Sequence, residues 1–141
     1  MKRLFILLPV VLLIGCGGFH ATTSNFNIGQ GQQCLHPVHV FWTAPTTNTD
    51  GTPLTDLAGF KIYWGANSGN YGLNVEVADP KATSYTLCNF LPLTYYFAMK
   101  AYTTTGTESS FSNEVSYTVA ANSSQFEAVY IDLASQKISN R

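Results

Sequence analysis

The sequence reads Tyr-Tyr-Phe-Ala-Met-Lys-Ala over residues 95–101. Larger apolar side chains occupy every second position of this stretch: Tyr95, Phe97, Met99 and Ala101. A period of two places these side chains on one face of an extended strand and their neighbours on the other face. The stretch therefore predicts a β-strand with one buried face.

The same alternation recurs along most of the chain. It is present over residues 38–42, 60–64, 73–77, 85–87 and 115–119. Turn-forming sequences lie between these stretches, for example Asp50-Gly51 and Asp79-Pro80. Short strands at this spacing predict a β-sandwich.

The first 15 residues have the form of an export signal. Lys2 and Arg3 precede an apolar run over residues 4–14, which is about half the length that crosses a bilayer. The run ends in Leu-Ile-Gly followed by Cys16, which resembles a bacterial lipoprotein signal. The resemblance implies removal of residues 1–15 and lipidation of Cys16.

A lipid on Cys16 would make the membrane a partner of the chain. Residues 16–33 keep no helical or strand period, and we expect them to form a flexible tether after the lipidated cysteine. Gly17 stands where an aspartate tends to retain such lipoproteins at the inner membrane. The resemblance therefore implies a cell-envelope location, with the outer membrane favoured in an organism that has one.

Length and charge limit the class of protein further. Removal of the signal leaves 126 residues, which is enough for one domain with a core. The chain has 7 basic and 8 acidic residues, and loss of Lys2 and Arg3 leaves 5 and 8. Because no basic patch remains, nucleic acid is not an expected partner.

Two cysteines remain beside Cys16. In an oxidising compartment Cys34 and Cys88 are most simply a disulfide. One alternative is a pair of unbonded thiols in the core. Another is a zinc site made by Cys34, His36 and His39, although their spacing fits no standard ligand pattern.

Five motifs over residues 38–119 resemble a fibronectin type III module and occur in that family's order. They are Val-x-Val-x-Trp with Ala-Pro at 38–45, Gly-Phe-Lys-Ile-Tyr at 59–63, Thr-Ser-Tyr-Thr-Leu at 83–87, Tyr-x-Phe-x-Met-x-Ala at 95–101 and Ser-Asn-Glu-Val at 112–115. The resemblance implies an all-β, immunoglobulin-like sandwich of about seven strands in two antiparallel sheets. The corresponding domain covers residues 34–120.

The resemblance also assigns individual residues. It implies that Trp42 is the buried tryptophan of the family's second strand. Tyr95 would be the tyrosine-corner residue that bonds to backbone a few residues upstream, with Leu93 in place of the usual glycine. Because the second strand pairs antiparallel with the fifth in this sandwich, Cys34 and Cys88 are expected to lie close enough for a disulfide.

Catalytic chemistry has little support in the sequence. The three histidines are all in or near the tether, and no Gly-x-Ser-x-Gly or phosphate-binding glycine loop occurs. Asp50 and Asp56 flank one loop, but calcium needs six or more oxygen ligands, so we expect them to stabilise turns. No enzyme activity, cofactor or metal is therefore expected.

The outward face of the predicted central strands offers a candidate ligand surface. If the apolar positions face the core, a set of tyrosines and lysines faces outward on adjacent strands: Lys61, Tyr63, Tyr96, Lys100 and Tyr102. We name these five residues the tyrosine–lysine patch. Tyrosine is common at binding surfaces, although exposed tyrosines are also ordinary strand formers.

Residues 121–141 lie beyond the resemblance and keep three alternatives open. Ser124 and Glu127 fit a helix capping box, whereas Val129, Ile131 and Leu133 alternate as in a strand. A disordered tail is the third alternative. In each case we expect the segment to be an extension that the sandwich does not need.

The sequence predicts a membrane-anchored, non-catalytic binding or adhesion module. Its ligand is expected to be a protein or a glycan. The first alternative is a structural or assembly subunit of a cell-envelope complex, with residues 121–141 as its docking element. The second alternative is an accessory to a secreted polysaccharide hydrolase.

Overall fold

The computed structural model describes residues 34–122 and 127–139. No helix in these ranges has the length and hydrophobicity that crossing a membrane requires. The described residues form seven strands: Val38–Thr43 (β1), Leu57–Gly65 (β2), Leu73–Val77 (β3), Ser84–Leu87 (β4), Thr94–Thr103 (β5), Val115–Thr118 (β6) and Glu127–Asp132 (β7).

The seven strands make two sheets that enclose one core. The three-stranded sheet has the order β4-β1-β7, and the four-stranded sheet has the order β3-β2-β5-β6. All pairs are antiparallel except β1 and β7, which run parallel with Phe41 opposite Tyr130. The predicted all-β, immunoglobulin-like sandwich of seven strands is thus confirmed, with one parallel pair that the prediction of two antiparallel sheets did not include.

Along β1 the buried face is the one that the alternation predicts, whereas on the edge strands β3 and β4 Leu73 and Tyr85 are exposed. On β1, Val38 and Val40 are almost completely buried and Trp42 is 5% exposed. Trp42 lies against Phe60 of the other sheet, with ring centroids 5.2 Å apart. Burial of these apolar surfaces makes the largest favourable contribution to the free energy of packing the two sheets together. The buried position expected for Trp42 is confirmed.

The C-terminal segment is part of the sandwich. Residues 127–132 form β7, which pairs with β1 along its whole length. Val129, Ile131 and Leu133 are each at most 2% exposed in the core. Of the three alternatives for this segment, the strand is confirmed over residues 127–132, and the sandwich extends beyond the predicted boundary at residue 120. The predicted helix start at Ser124 lies outside the described residues.

The turn before β5 contains the hydrogen bond expected from the tyrosine corner. The hydroxyl oxygen of Tyr95 accepts a hydrogen bond from the backbone N–H of Leu91 at 3.2 Å. Phe90 covers the Tyr95 ring edge to face, with centroids 4.7 Å apart. The backbone carbonyl of Leu93 accepts a hydrogen bond from the N–H of Val119 at 3.0 Å.

The loop between β1 and β2 is ordered by its own polar side chains. Asp50 accepts hydrogen bonds from both the backbone N–H and the hydroxyl of Thr52, at 2.9 and 2.6 Å. Gly51 between them has a φ of 86°, a conformation that glycine adopts without strain. This is the turn-stabilising role that the sequence predicts for Asp50.

Candidate functional site

A disulfide fixes the end of the sandwich at which the described chain begins. Cys34 and Cys88 are bonded, with their Cα atoms 5.0 Å apart. Antiparallel pairing of β1 with β4 brings them together, since Val38 lies opposite Leu87. The predicted disulfide is confirmed, so unbonded thiols and a zinc site using Cys34 are both wrong. Among the described residues, no three His, Cys, Asp or Glu side chains are grouped to hold a metal.

The predicted lipidation site, Cys16, lies outside the described residues. The same is true of the predicted signal over residues 1–15 and of the predicted tether up to residue 33. Both stay predictions from the sequence.

The tyrosine–lysine patch lies on the outer face of the four-stranded sheet. Lys61 and Tyr63 are on β2, and the other three residues are on β5. Lys61 is directly opposite Lys100 in the ladder, so two like charges are neighbours. All five residues of the patch are half-buried. Their shared face agrees with the alternation, but they are less accessible than a free binding surface would be.

Glu108 forms an ion pair with each of the two lysines. Its carboxylate accepts hydrogen bonds from Lys61 Nζ at 2.6 Å and from Lys100 Nζ at 3.0 Å. The hydrogen bond from Lys61, followed by that from Lys100, lowers the pKa of Glu108 from its usual value. The Glu108 hydrogen bond likewise raises the pKa of Lys61, against an opposing effect of burial. The two ammonium groups of the patch thus share one carboxylate, and both lysines are ion-paired within the chain.

An aromatic side chain further covers the patch. Phe111 meets Tyr63 edge to face with centroids 5.0 Å apart, and Lys100 Nζ lies 4.6 Å from the Phe111 ring centroid. Tyr102 donates a hydrogen bond to Glu76 at 2.9 Å, and burial, with this bond, raises its pKa. Most polar groups of the patch are thus already bound to other residues of the chain.

Glu114, which directly precedes β6, binds the loop between β2 and β3. Its carboxylate accepts hydrogen bonds from Ser68 Oγ at 2.6 Å, Gly69 N at 2.7 Å and Tyr71 Oη at 2.6 Å. These bonds lower the pKa of Glu114. Burial, together with Glu114, raises the pKa of Tyr71 to about 12. Because three donors of this loop all bind the Glu114 carboxylate, we assign these groups a structural role.

A groove of about 420 Å³ lies at the end of the three-stranded sheet where β1 and β7 finish. We name it the aromatic groove. It is lined by Phe41, Trp42, Thr43, Thr83, Asn113, Tyr130, Ile131 and Asp132. Two of the lining residues, Trp42 and Ile131, are also core residues.

Two aromatic rings form one side of the groove. Phe41 and Tyr130 are neighbours in the parallel ladder, and their rings stack with centroids 5.3 Å apart and planes inclined by 18°. Phe41 is half-buried, whereas Tyr130 is 71% exposed. At this offset one face of the Tyr130 ring meets Phe41, and the rest of the ring is open to solvent.

The polar side chains of the groove are held by backbone hydrogen bonds. Asp132 Oδ1 accepts a hydrogen bond from the N–H of Ala134 at 2.8 Å. Asn113 Oδ1 accepts one from the N–H of Asp132 at 3.2 Å. The lining residues include one carboxylate and no lysine, arginine or histidine. This set can donate hydrogen bonds to hydroxyl groups and accept hydrogen bonds from them.

The groove lies at the far end of the strands from the disulfide. Cys34 precedes β1, whereas the groove is lined by the last three residues of β1 and the last three of β7. At about 3.3 Å per residue the two ends of β1 are roughly 17 Å apart. The described chain therefore begins at one end of the sandwich and presents the groove towards the other.

Sequence reasoning missed the main elements of both surfaces. Glu108 and Phe111 belong to the loop after β5, and no periodicity indicates that this loop folds over the sheet. Alternation predicts the outward face for Phe41, but the position of Tyr130 depends on a choice between helix and strand that periodicity leaves open. No family model, curated protein or solved structure matches the chain.

Proposed function

We propose that this protein is a membrane-anchored, non-catalytic binding or adhesion module. A lipid on Cys16 would hold it at the cell envelope, and the sandwich would present the aromatic groove to a protein or glycan ligand. The observation that carries the proposal is the position of the groove, at the opposite end of β1 and β7 from Cys34. A ligand would therefore bind at a distance from the attached end.

The anchor rests on the sequence of the first 16 residues. The charged start, the short apolar run and the cysteine after Leu-Ile-Gly are the features that favour lipidation. Each buried methylene of an acyl chain contributes about 0.8 kcal/mol, so several chains hold a protein almost permanently at a membrane. Gly17 after the cysteine favours the outer membrane in an organism that has one.

The fibronectin type III resemblance supports a module of this kind. The hydrogen bond between Tyr95 and the backbone of Leu91, and the burial of Trp42, agree with the residue roles that the resemblance implies.

The two alternatives have less support. An assembly subunit that docks through its C-terminal segment needs that segment to be free, but Val129 and Ile131 are buried in the sandwich. The hydrolase accessory has no observation of its own in this chain. We therefore keep the binding module as the proposed function.

The anchor is tested by labelling cells with a radioactive fatty acid. We expect the wild-type protein to carry the label and to sediment with membranes. The Cys16→Ser variant should carry no label and should not sediment with membranes. Equal labelling of the two proteins would refute the anchor. An added protease that first cuts the purified protein then reports the location, because degradation on intact cells requires that the sandwich faces outward.

The binding site is tested by screening the protein against arrays of glycans and of cell-surface proteins. Tyr130→Ala removes the exposed ring of the groove, and Tyr96→Ala removes a half-buried ring of the tyrosine–lysine patch as a matched control. We expect a ligand whose binding is lost in the first variant and retained in the second. The reverse result would move the site to the patch, and binding unaffected by either would remove both surfaces.

A further inference from the structure

We infer that the aromatic groove binds a neutral glycan, with a pyranose ring stacked on Tyr130. This inference rests on the proposed function and names the chemical class of its ligand. Its basis is the combination, in one groove, of an exposed aromatic face, several uncharged hydrogen-bonding groups and a single carboxylate.

The exposure of Tyr130 is the first observation. It is the most exposed of the large apolar side chains in the described residues, at 71%, although it belongs to a strand whose alternate side chains fill the core. The stack on Phe41 fixes the orientation of its ring. The face of an aromatic ring is electrostatically negative, so it attracts C–H groups such as those on the flat face of a sugar ring.

The polar lining is the second observation. Thr43 and Thr83 provide hydroxyls that can both donate and accept, and neither hydroxyl is hydrogen-bonded within the described residues. The NH2 group of Asn113 is a donor, since its Oδ1 already binds the backbone of Asp132. Around a stacked ring these groups match the rim of a sugar, which carries hydroxyls that donate and accept.

The carboxylate of Asp132 favours neutral over anionic ligands. Its Oδ1 is held by the N–H of Ala134, and its second carboxylate oxygen has no partner in the described part of the chain. A carboxylate accepts strongly from sugar hydroxyls, but it repels a phosphate or a uronate. Since no lysine, arginine or histidine lines the groove, nothing there would compensate an anionic ligand.

The dimensions agree with a short stretch of polysaccharide. The groove volume of about 420 Å³ lies within the range of roughly 300–1,000 Å³ that small-molecule sites occupy. The groove is open to solvent rather than enclosed, so both ends of a longer chain are free to extend beyond it. Binding is therefore expected to be modest for a single sugar and to depend on the Tyr130 ring.

The test uses native gel electrophoresis of the detergent-solubilised, full-length protein through gels that contain a soluble polysaccharide. The probes are hydroxyethyl cellulose, xylan and mannan as neutral polymers and polygalacturonate as an anionic one. We expect at least one neutral polymer to retard the protein, and polygalacturonate to retard it less. Tyr130→Ala should weaken the interaction about tenfold, which corresponds to about 1.4 kcal/mol.

Two further variants distinguish the contribution of the Tyr130 ring to binding from that of its hydroxyl and from a general effect of losing a tyrosine. Tyr130→Phe keeps the aromatic face and should bind within about twofold of wild type, because stacking needs only the ring. Tyr96→Ala on the other sheet should bind as wild type does. Because Tyr130 is highly exposed and loses mainly its stack on Phe41, Tyr130→Ala should remain folded, and its unfolding midpoint is measured in parallel to check this.

The inference is overturned if no neutral polymer retards the wild-type protein, if polygalacturonate retards it most, or if Tyr130→Ala migrates as wild type does. A failure of this kind is distinguishable from failure of the proposed function. Protein binding on the array that still requires Tyr130 would keep the binding module and change only its ligand class. Absence of both glycan and protein binding would refute both proposals.

Discussion

Truncation of the chain after residue 120 removes β7, and we predict that the remaining sandwich no longer folds. Four buried side chains are lost with this segment: Val129, Ile131, Leu133 and Ile138. At about 1.5–3 kcal/mol for each, the lost burial amounts to roughly 6–12 kcal/mol. A domain of this size has a net stability of about 5–15 kcal/mol. The truncation also leaves one edge of β1 without its hydrogen-bonding partner.

A single substitution measures the same effect without loss of the fold. Ile131 is 2% exposed, and Ile131→Ala should cost about 2–5 kcal/mol through lost burial and a residual cavity. Tyr130→Ala, at the preceding position of the same strand, is the matched control. Because Tyr130 is 71% exposed and loses mainly its stack on Phe41, its replacement should lower the free energy of unfolding by only about 0.5–1.5 kcal/mol.

Urea unfolding followed by tryptophan fluorescence provides the assay. Trp42 is buried between the sheets, so its emission changes when the core opens. With a slope of about 1.5 kcal/mol/M, a loss of about 3 kcal/mol lowers the unfolding midpoint by about 2 M. The disulfide is kept oxidised in all samples so that only the strand is varied.

Two results would refute this account of β7. One is a cooperative transition of the truncated chain at the wild-type midpoint. The other is an Ile131→Ala variant no less stable than Tyr130→Ala. Either would show that the segment is an appendage that the sandwich does not need, and would restore residues 121–141 as a candidate docking element.

Three further predictions concern the disulfide, the charged face and one close backbone approach. Reduction of the Cys34–Cys88 bond should lower the free energy of unfolding by on the order of 4 kcal/mol, measured by urea unfolding with and without reductant. The pKa of Glu108 is lowered, so its ion pairs stabilise the fold above the ordinary carboxyl pKa of 4.5, and this stability is lost as pH falls through the lowered value. Unfolding measured from about pH 6 to about pH 2 should therefore show a smaller acid-induced loss in Glu108→Gln, and an identical loss would contradict the ion pairs. Gly59→Ala should destabilise the protein, because the new Cβ would overlap a backbone carbonyl oxygen of β3, whereas Gly72→Ala, with open space around it, should not; thermal unfolding compares the two.

The strands and their buried faces were predictable because alternation is a local property. Along β1, core-facing residues such as Val40 alternate with outward-facing ones. This period of two can be recognised in the sequence of the strand alone, without information from the rest of the chain. The disulfide needed one more step, since only the pairing of β1 with β4 brings Cys34 beside Cys88. The resemblance to a known sandwich supplied that pairing.

The candidate sites were less predictable because they depend on residues that are distant in sequence. Nothing near Lys61 indicates that Glu108 returns from a later loop to compensate its charge. Alternation thus predicts the correct face for the tyrosine–lysine patch, but most of its polar groups are bound within the chain. The aromatic groove could not be foreseen, since it needs Phe41 and Tyr130 to be neighbours.

The sequence by itself determined the alternating strands and the apolar core face of β1, and it predicts an export signal with lipidation at Cys16. Tertiary structure decided the state of the C-terminal segment and everything that follows from it. Residues 129–133 fit a helix or a strand in isolation, and the open edge of β1 together with the unfilled core selects the strand. Hydrogen bonding to that edge sets the parallel register, and the register places Tyr130 beside Phe41 at the groove.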